Sequence, residues 1–537
     1  MIFAAAPRSS RKLLLLASCF VAVLAAVALL VRPLMPIDET RYISVAWEMW
    51  LRGDFLVPFK NGAPYSHKPP LLMWLCQMGW SLFGVNEWWP RLVSPLVSVA
   101  SLFLAARLAR RLWPERDGID GAAVLILASS LLWTIFSTSL MFDTLLAFFT
   151  LVGVHGTLTA VEGERGRGIA WLGVAIGLGV LTKGPVILLH LLPPALLAPW
   201  WAPGLKKARW FATVLLAILL GAAIALAWAI PAALAGGDEY ARAIFIGQTA
   251  NRVVDSFAHR RPLWWYLPLL PLLVLPWLFW PGLWRALGVS FRHNRDRGLR
   301  FCVAWALPVF VAFCLISGKQ PHYLIPLCPA FALIAARAIA DEDRVKGIWL
   351  PVLCVMLLGA ALVALAAGML RLPEAFAAVA APSWPGLAVI AIALGLGWIG
   401  RRQAKPVVAL ALLGVAVSAL LQCALLPPLY AAYDVRPMAQ AIRKAQDAGH
   451  TVVHVAKDYD DQYQFAGRLQ KPLLLASDAA EMKSALANDP NACALIYVRD
   501  PKAVAQVKAI AAHPYQESIA LLLDAKTALD FVDKNGS

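Results

Sequence analysis

Residues 37–70 read IDETRYISVAWEMWLRGDFLVPFKNGAPYSHKPP, a polar stretch lying between two long apolar runs. It holds two adjacent acids, Asp38 and Glu39, with Arg41 close behind, an Asn61-Gly62 turn and a His67-Lys68-Pro69-Pro70 end. A plain connector between spanning helices needs none of these groups. The stretch reads as half of an active site pressed against a membrane surface.

The flanking sequence supplies the membrane. Of 537 residues, 60% are hydrophobic and 15% charged, and mean hydropathy is +0.67. No water-soluble domain hides that much apolar surface, so the fold class is a polytopic α-helical membrane protein. The run from Leu13 to Val31 follows Arg8, Arg11 and Lys12 and exceeds a secretory-signal core. It reads as a retained first span with its N-terminus inside. Apolar runs at 91–106, 120–142, 144–161, 169–182, 185–202, 211–233, 263–284, 301–317, 322–340, 347–369, 384–400 and 406–426 follow. Together they predict about thirteen spans of ~20 residues each.

Charge sets the expected orientation. Connectors at 107–116, 162–168, 204–209, 291–300, 341–346 and 401–405 are short and rich in Lys and Arg, and all fall on the N-terminal side. The positive-inside rule makes that side cytoplasmic. Such a distribution accounts for the net charge of +16 without a nucleic-acid partner. The opposite connectors, including 37–90 and 234–262, are then extracytoplasmic loops. The 22 Trp suit aromatic belts at the lipid boundary. The eight Cys form no CxxC pair and read as small core residues.

Composition turns water-soluble after Pro427, dividing the chain into a transmembrane part, 1–430, and a soluble extracytoplasmic α/β domain, 431–537. The latter reads helix 435–447, strand 451–456, strand 472–477, helix 478–487, strand 493–498, helix 501–512 and strand 518–523.

Asp38, Arg41, Lys68, Asp143, Lys183, Arg252, His259, Lys319, His322 and Tyr323 all fall at or near the outer ends of spans. Each has an ordinary reading. Asp38 suits a helix N-cap, Lys183 and Lys319 suit snorkelling, and His322 suits a helix-end hydrogen bond. Arg252 and Arg261 suit either headgroup or substrate contacts. The gathering of two acids and several cations at one face favours a site, because an ionisable group at membrane depth needs a partner or a wet cavity. Cations there bind phosphate, and a carboxylate beside them orients or deprotonates an acceptor. Outside the cell no nucleotide pool exists, so a sugar donor has to arrive on a lipid phosphate.

The segments DETRY (38–42), GDFLVPFKNGAPYSHKPP (53–70), FGVNEWWPRL (83–92), LTKGP (181–185) and SGKQPHYLIPLCPA (317–330) resemble polyprenyl-phosphate-dependent glycosyltransferases of the GT-C class. Within that class the resemblance is closest to bacterial 4-amino-4-deoxy-L-arabinose lipid A transferases, relatives of the protein O-mannosyltransferases. It extends weakly into the tail at YDDQYQFAGRLQKP (459–472). The resemblance implies that Asp38 is the catalytic-loop acid and Asp143 a second essential acid. Arg41, Lys68 and Lys183 would hold the lipid phosphate, joined by Tyr65 and Tyr323. The implied donor is a sugar on undecaprenyl phosphate, the acceptor lipid A, and the location the bacterial inner membrane, with no cofactor required. One departure stands out. The family commonly has Glu-Lys-Pro-Pro where this chain has His67-Lys68-Pro69-Pro70, and in the aminoarabinose enzymes that Glu can share a metal with a later His. A zinc held by His67 and His259 is the corresponding expectation, although the spacing around His259 departs from the pattern. An O-mannosyltransferase-like enzyme acting on polypeptide hydroxyls, or a transferase to another envelope glycan, would share the membrane motifs. A lipid-linked sugar transporter would instead show inverted repeats and mid-span charges.

Overall fold

A computed structural model describes residues 8–247, 260–292, 296–340, 347–370, 382–402, 406–456 and 459–535. Among them, nine helices are long and apolar enough to cross a membrane: Ser10–Val31, Trp88–Leu112, Phe142–Val161, Lys207–Phe245, Arg297–Leu315, Pro321–Ile339, Trp349–Ala366, Trp384–Arg402 and Pro406–Cys423. Each matches a predicted run. Two of the other predicted runs form interrupted helices, for identifiable reasons. Run 120–142 splits at Ser130, whose backbone is extended between helices Ile119–Ser129 and Leu131–Phe136. Run 263–284 contains Pro268, Pro271, Pro276 and Pro281, and breaks into a 3-10 turn, helix Tyr266–Leu273, a second 3-10 turn and helix Pro281–Arg292. Each proline removes a backbone donor and crowds the preceding turn. Runs 169–182 and 185–202 fall in Arg165–Lys183 and Val186–Trp201. The predicted loop 234–262 also starts later than expected. The helix from Lys207 continues to Arg242 across a break at Gly237 (φ 82°).

The stretch 37–70 is an ordered layer. Helix α1 (Arg8–Val31) ends near it, and α2 (Asp38–Arg52) begins with Asp38 and Glu39 in its first turn, where negative charge suits the helix dipole. The buried face of α2, with Tyr42, Ile43, Val45, Ala46 and Met49, packs on α3 (Leu71–Phe83). Gly53 (φ 64°) terminates α2 in the left-handed region. Asn61 and Gly62 have φ of 47° and 84°, so the predicted turn joins strands β1 (Phe59–Lys60) and β2 (Ala63–Pro64) into a small hairpin. Helices α4 (Trp88–Leu112), α5 (Ile119–Ser129), α6 (Leu131–Phe136), α7 (Phe142–Val161) and α8 (Arg165–Lys183) follow, α7 lying against α8.

The tail holds a five-stranded sheet of order β4-β3-β5-β7-β6. Strands β3 (Val452–Val455), β4 (Leu474–Ala476) and β5 (Cys493–Val498) are parallel, whereas β6 (Ala511–Tyr515) and β7 (Ser518–Asp524) run antiparallel. One face buries Met438 and Ile442, the other Met482 and Leu486. The predicted helix 501–512 is corrected here. It covers only Pro501–Ala505; residues 506–510 are turn, and from Ala511 the chain is β6, an edge strand that tolerates Pro514. A further helix, Ala525–Asn535, closes the sheet.

Sheet domain and 37–70 layer are joined by specific contacts. Trp47 Nε1 donates to the Leu469 carbonyl at 3.0 Å, and Phe465 N donates to Ser44 Oγ at 3.0 Å. The Phe465 ring stacks on Trp80 at 5.4 Å. Asn61 Nδ2 donates to the Leu473 carbonyl at 2.9 Å while Asn61 Oδ1 accepts from Leu473 N at 2.8 Å. The stretch 37–70 and the tail therefore share one side of the membrane.

Candidate active site

Two adjacent acids at the start of α2 have opposite fates. Glu39 is 3% exposed and accepts from both terminal nitrogens of Arg32 (2.6 and 3.0 Å), from Met35 N (2.8 Å) and from Leu140 N (2.7 Å). Its oxygens are filled, and it fixes the loop to α1 and the start of α7. Asp38 remains 39% exposed at its side chain and lines a cavity. Its Oδ1 accepts from Arg41 at 2.5 Å and from the Tyr42 hydroxyl at 2.8 Å. Burial raises the Asp38 pKa, but Arg41, the Tyr42 bond, His322 and Lys68 outweigh it and hold the carboxyl below the usual range.

Arg41 is divided between two domains. Its second terminal nitrogen donates to Asp460 of the tail at 2.6 Å. Burial disfavours the guanidinium charge, yet Tyr65, Tyr42, Asp38 and Asp460 outweigh that and raise its pKa. Tyr65 is buried beside it and packs against the His67 ring at 5.3 Å.

The second acid–cation pair lies in the membrane part. Asp143, at the start of α7, accepts from Lys183, the last residue of α8, at 2.5 Å. The Lys183 ammonium also sits 4.7 Å from the Tyr323 ring centre. Phe142 bridges the two pairs: its ring meets Tyr42 edge-on at 4.6 Å, and Lys68 lies 5.7 Å from its centre. His322 packs on Tyr323 at 4.8 Å and lies within electrostatic reach of Asp38, Asp143, Lys68 and Lys183. Segments distant in sequence thus converge on one spot.

Other predicted residues lie elsewhere. Lys319 is 1% exposed and donates to the carbonyls of Ile316 (2.5 Å) and Arg261 (3.1 Å). In this structure it braces two backbone segments. Arg261 is exposed, packs its guanidinium over Trp265 at 5.7 Å and donates its N–H to Ser317. Arg252 and His259 lie outside the described residues. His67 is exposed against Tyr65, and among the described residues no three His, Cys, Asp or Glu side chains gather as a metal set. Asp460 carried no predicted role; its signal was a doubled acid, Asp460-Asp461, within an aromatic stretch of the tail.

The fold, helices long and apolar enough to cross a membrane with a sheet domain docked on the 37–70 layer, is of the GT-C type. In sequence, residues 67–234 match the family model for dolichyl-phosphate-mannose-protein mannosyltransferase. The chain is 32% identical to the undecaprenyl phosphate-alpha-4-amino-4-deoxy-L-arabinose arabinosyl transferase 2 of Pseudomonas fluorescens over 324 residues, 58% of this chain and 56% of that one. It is 34% identical to the corresponding transferase of Pseudomonas aeruginosa over 342 residues, 62% and 60% of the two chains. These alignments span less than two thirds of the curated relatives' length. In structure, the chain is similar to the ArnT of Cupriavidus metallidurans bound to undecaprenyl phosphate, with TM-score 0.75, 21% identity, and 95% and 97% of the chains covered. The oligosaccharyltransferase of Archaeoglobus fulgidus shares the fold at TM-score 0.58 and 13% identity, with 91% and 69% covered.

Proposed function

We propose that the protein is an inner-membrane glycosyltransferase that moves 4-amino-4-deoxy-L-arabinose from undecaprenyl phosphate to lipid A on the periplasmic face. The observation carrying this reading is the convergence of Asp38–Arg41 and Asp143–Lys183 around His322. The basic connectors support a cytoplasmic N-terminus, which puts this face outside. In the reaction, an acceptor oxygen attacks the anomeric carbon from the side opposite the phosphate. The carbon–oxygen bond to phosphate breaks, and its electron pair leaves with the lipid phosphate, inverting the centre. Arg41, Lys68 and Lys183 neutralise the second negative charge that develops on the phosphate, so no general acid is required. Asp38 orients the acceptor and takes its proton if the nucleophile is a hydroxyl; a phosphate acceptor has no proton to give up.

The test is mass spectrometry of lipid A from cells lacking the gene, rescued by wild type or by Asp38→Ala. The expected result is a pentosamine-sized addition that wild type restores and Asp38→Ala does not. Lipid A unchanged in every strain would remove lipid A as acceptor. Glycoprotein analysis of the same strains then addresses the polypeptide acceptor, which the mannosyltransferase family match favours.

A further inference from the structure

Helix α9 (Val186–Leu196) carries a sealed histidine behind the Asp143–Lys183 pair. His190 is 0% exposed, and neither of its ring nitrogens has a hydrogen-bond partner among the described residues. Buried polar groups nearly always find a partner, because one that does not bears its desolvation in full. A phenylalanine would fill the same space without that penalty, so packing alone does not account for an imidazole here. Its neighbours lead to the acid–cation pair. The His190 ring lies 5.6 Å from that of Phe313, Phe313 lies 6.1 Å from Tyr323, and Tyr323 is the ring under the Lys183 ammonium. The imidazole thus stands behind the wall that seats Lys183, within electrostatic reach of both Lys183 and Asp143. Helices α7 and α8, which carry the pair, both pack against α9. Being sealed, His190 meets no substrate; any part it has in the reaction runs through those two residues.

We propose that His190 is a positioning residue for this pair, giving Asp143 a replacement donor when Lys183 turns toward the lipid phosphate. In the resting geometry Asp143 holds Lys183 at 2.5 Å, and an ammonium so held has less attraction to offer a phosphate. Asp143 is 2% exposed, so water is a poor substitute once the ammonium shifts. An imidazole has at least one N–H to give in either protonation state, and both nitrogens of His190 are uncommitted among the described residues. A turn of the ring would bring one of them toward Asp143, and a hydrogen bond in such sealed surroundings is stronger than one in water. Charge on the phosphate grows only as the sugar departs. The help therefore acts in the transition state and leaves donor binding alone. The inference rests on the transferase reading and deepens it, by adding to the reacting site a residue that releases its lysine.

The test uses purified full-length protein with undecaprenyl-phosphate-linked 4-amino-4-deoxy-L-arabinose as donor and lipid A as acceptor. For each variant, kcat, donor KM and the melting temperature of the unliganded protein are measured. His190→Phe should lower kcat about tenfold at unchanged donor KM, the loss of one ordinary hydrogen bond made only in the transition state. Its melting temperature should match or exceed wild type, because two unpartnered buried nitrogens are gone. His190→Gln, which keeps an N–H on a side chain of similar length, should regain most of the lost kcat. Wild-type kcat in His190→Phe would overturn the proposal, as would a change confined to donor KM. A lower melting temperature in His190→Phe, or a fall in kcat that His190→Gln does not repair, would make the imidazole a packing element and overturn it too. A wild-type protein that transfers nothing would overturn the transferase reading, and this inference with it.

Discussion

At the scale of single residues, the site distinguishes charges by what surrounds them. Asp38 and Glu39 are neighbours with the same chemistry, yet Glu39 is saturated by four donors and Asp38 is not. Lys183 and Lys319 show the same split among cations. Lys183 faces Asp143, whereas Lys319 is buried against two carbonyls. Lys319→Met should therefore destabilise the protein by roughly 1–3 kcal/mol, since it strands buried acceptors. Substrate KM measured at a temperature where the variant is folded should stay at the wild-type value. A KM increase without a loss in melting temperature would return Lys319 to the substrate site. Sequence made Asp38, Arg41, Asp143 and Lys183 legible because ionisable groups at helix ends stand out against apolar runs. It did not reveal the role of Lys319, whose partners are main-chain oxygens that no residue type advertises.

Among elements, the decisive contact is between α2 and the tail. The helical periods and the Asn-Gly hairpin were readable locally, and the breaks in run 263–284 follow from its prolines, whereas the break at Ser130 carries no such signal. The docking of Asp460 on Arg41 was not readable, because it joins residues with no local pattern in common. That pair is partly exposed, 21% at Arg41 and 24% at Asp460, so screening limits its worth. A double-mutant cycle on Arg41→Ala and Asp460→Ala, read by thermal unfolding, should give a coupling of about 1 kcal/mol. Strict additivity would mean that the two side chains merely lie side by side. Asp460→Ala alone should also lower turnover, because Arg41 would lose the anchor that aims it at Asp38.

For the molecule as a whole, the junction between the sheet domain and the 37–70 layer contains a buried pair of acids. Glu48 of α2 and Asp461 of the tail are 8% and 0% exposed. Gly62 N donates to Glu48 at 2.9 Å and Asn61 N to Asp461 at 2.8 Å, and the two carboxyls lie within hydrogen-bond reach of each other. Burial first, and Glu48 second, raise the Asp461 carboxyl well above its usual range; burial raises Glu48 as well. Arg52 and Lys60 face the pair and partly oppose these shifts. The sign is fixed: groups that bind protons more tightly when folded stabilise below their unfolded pKa and lose that contribution as pH rises. Melting temperature should fall as pH climbs above the ordinary carboxylate range of about 4. Glu48→Gln, whose amide can donate to Asp461, should flatten that slope. An identical slope in wild type and variant would locate the titrating groups elsewhere. Asp38, shifted the other way, contributes stability that is present above that range and is lost as pH falls below it, so the two effects change in separate windows.

The Arg41–Asp460 contact joins residues 419 positions apart. A ribosome feeding this chain into the membrane delivers Asp38, Asp143, Lys183 and His322 well before Asp460 emerges. The chemistry-bearing groups are all present while the last hundred or so residues are still being made, but the arginine among them lacks its second carboxylate. Order of synthesis thus has a structural consequence: the Arg41 site is completed only when the tail that carries Asp460 has folded back onto the 37–70 layer.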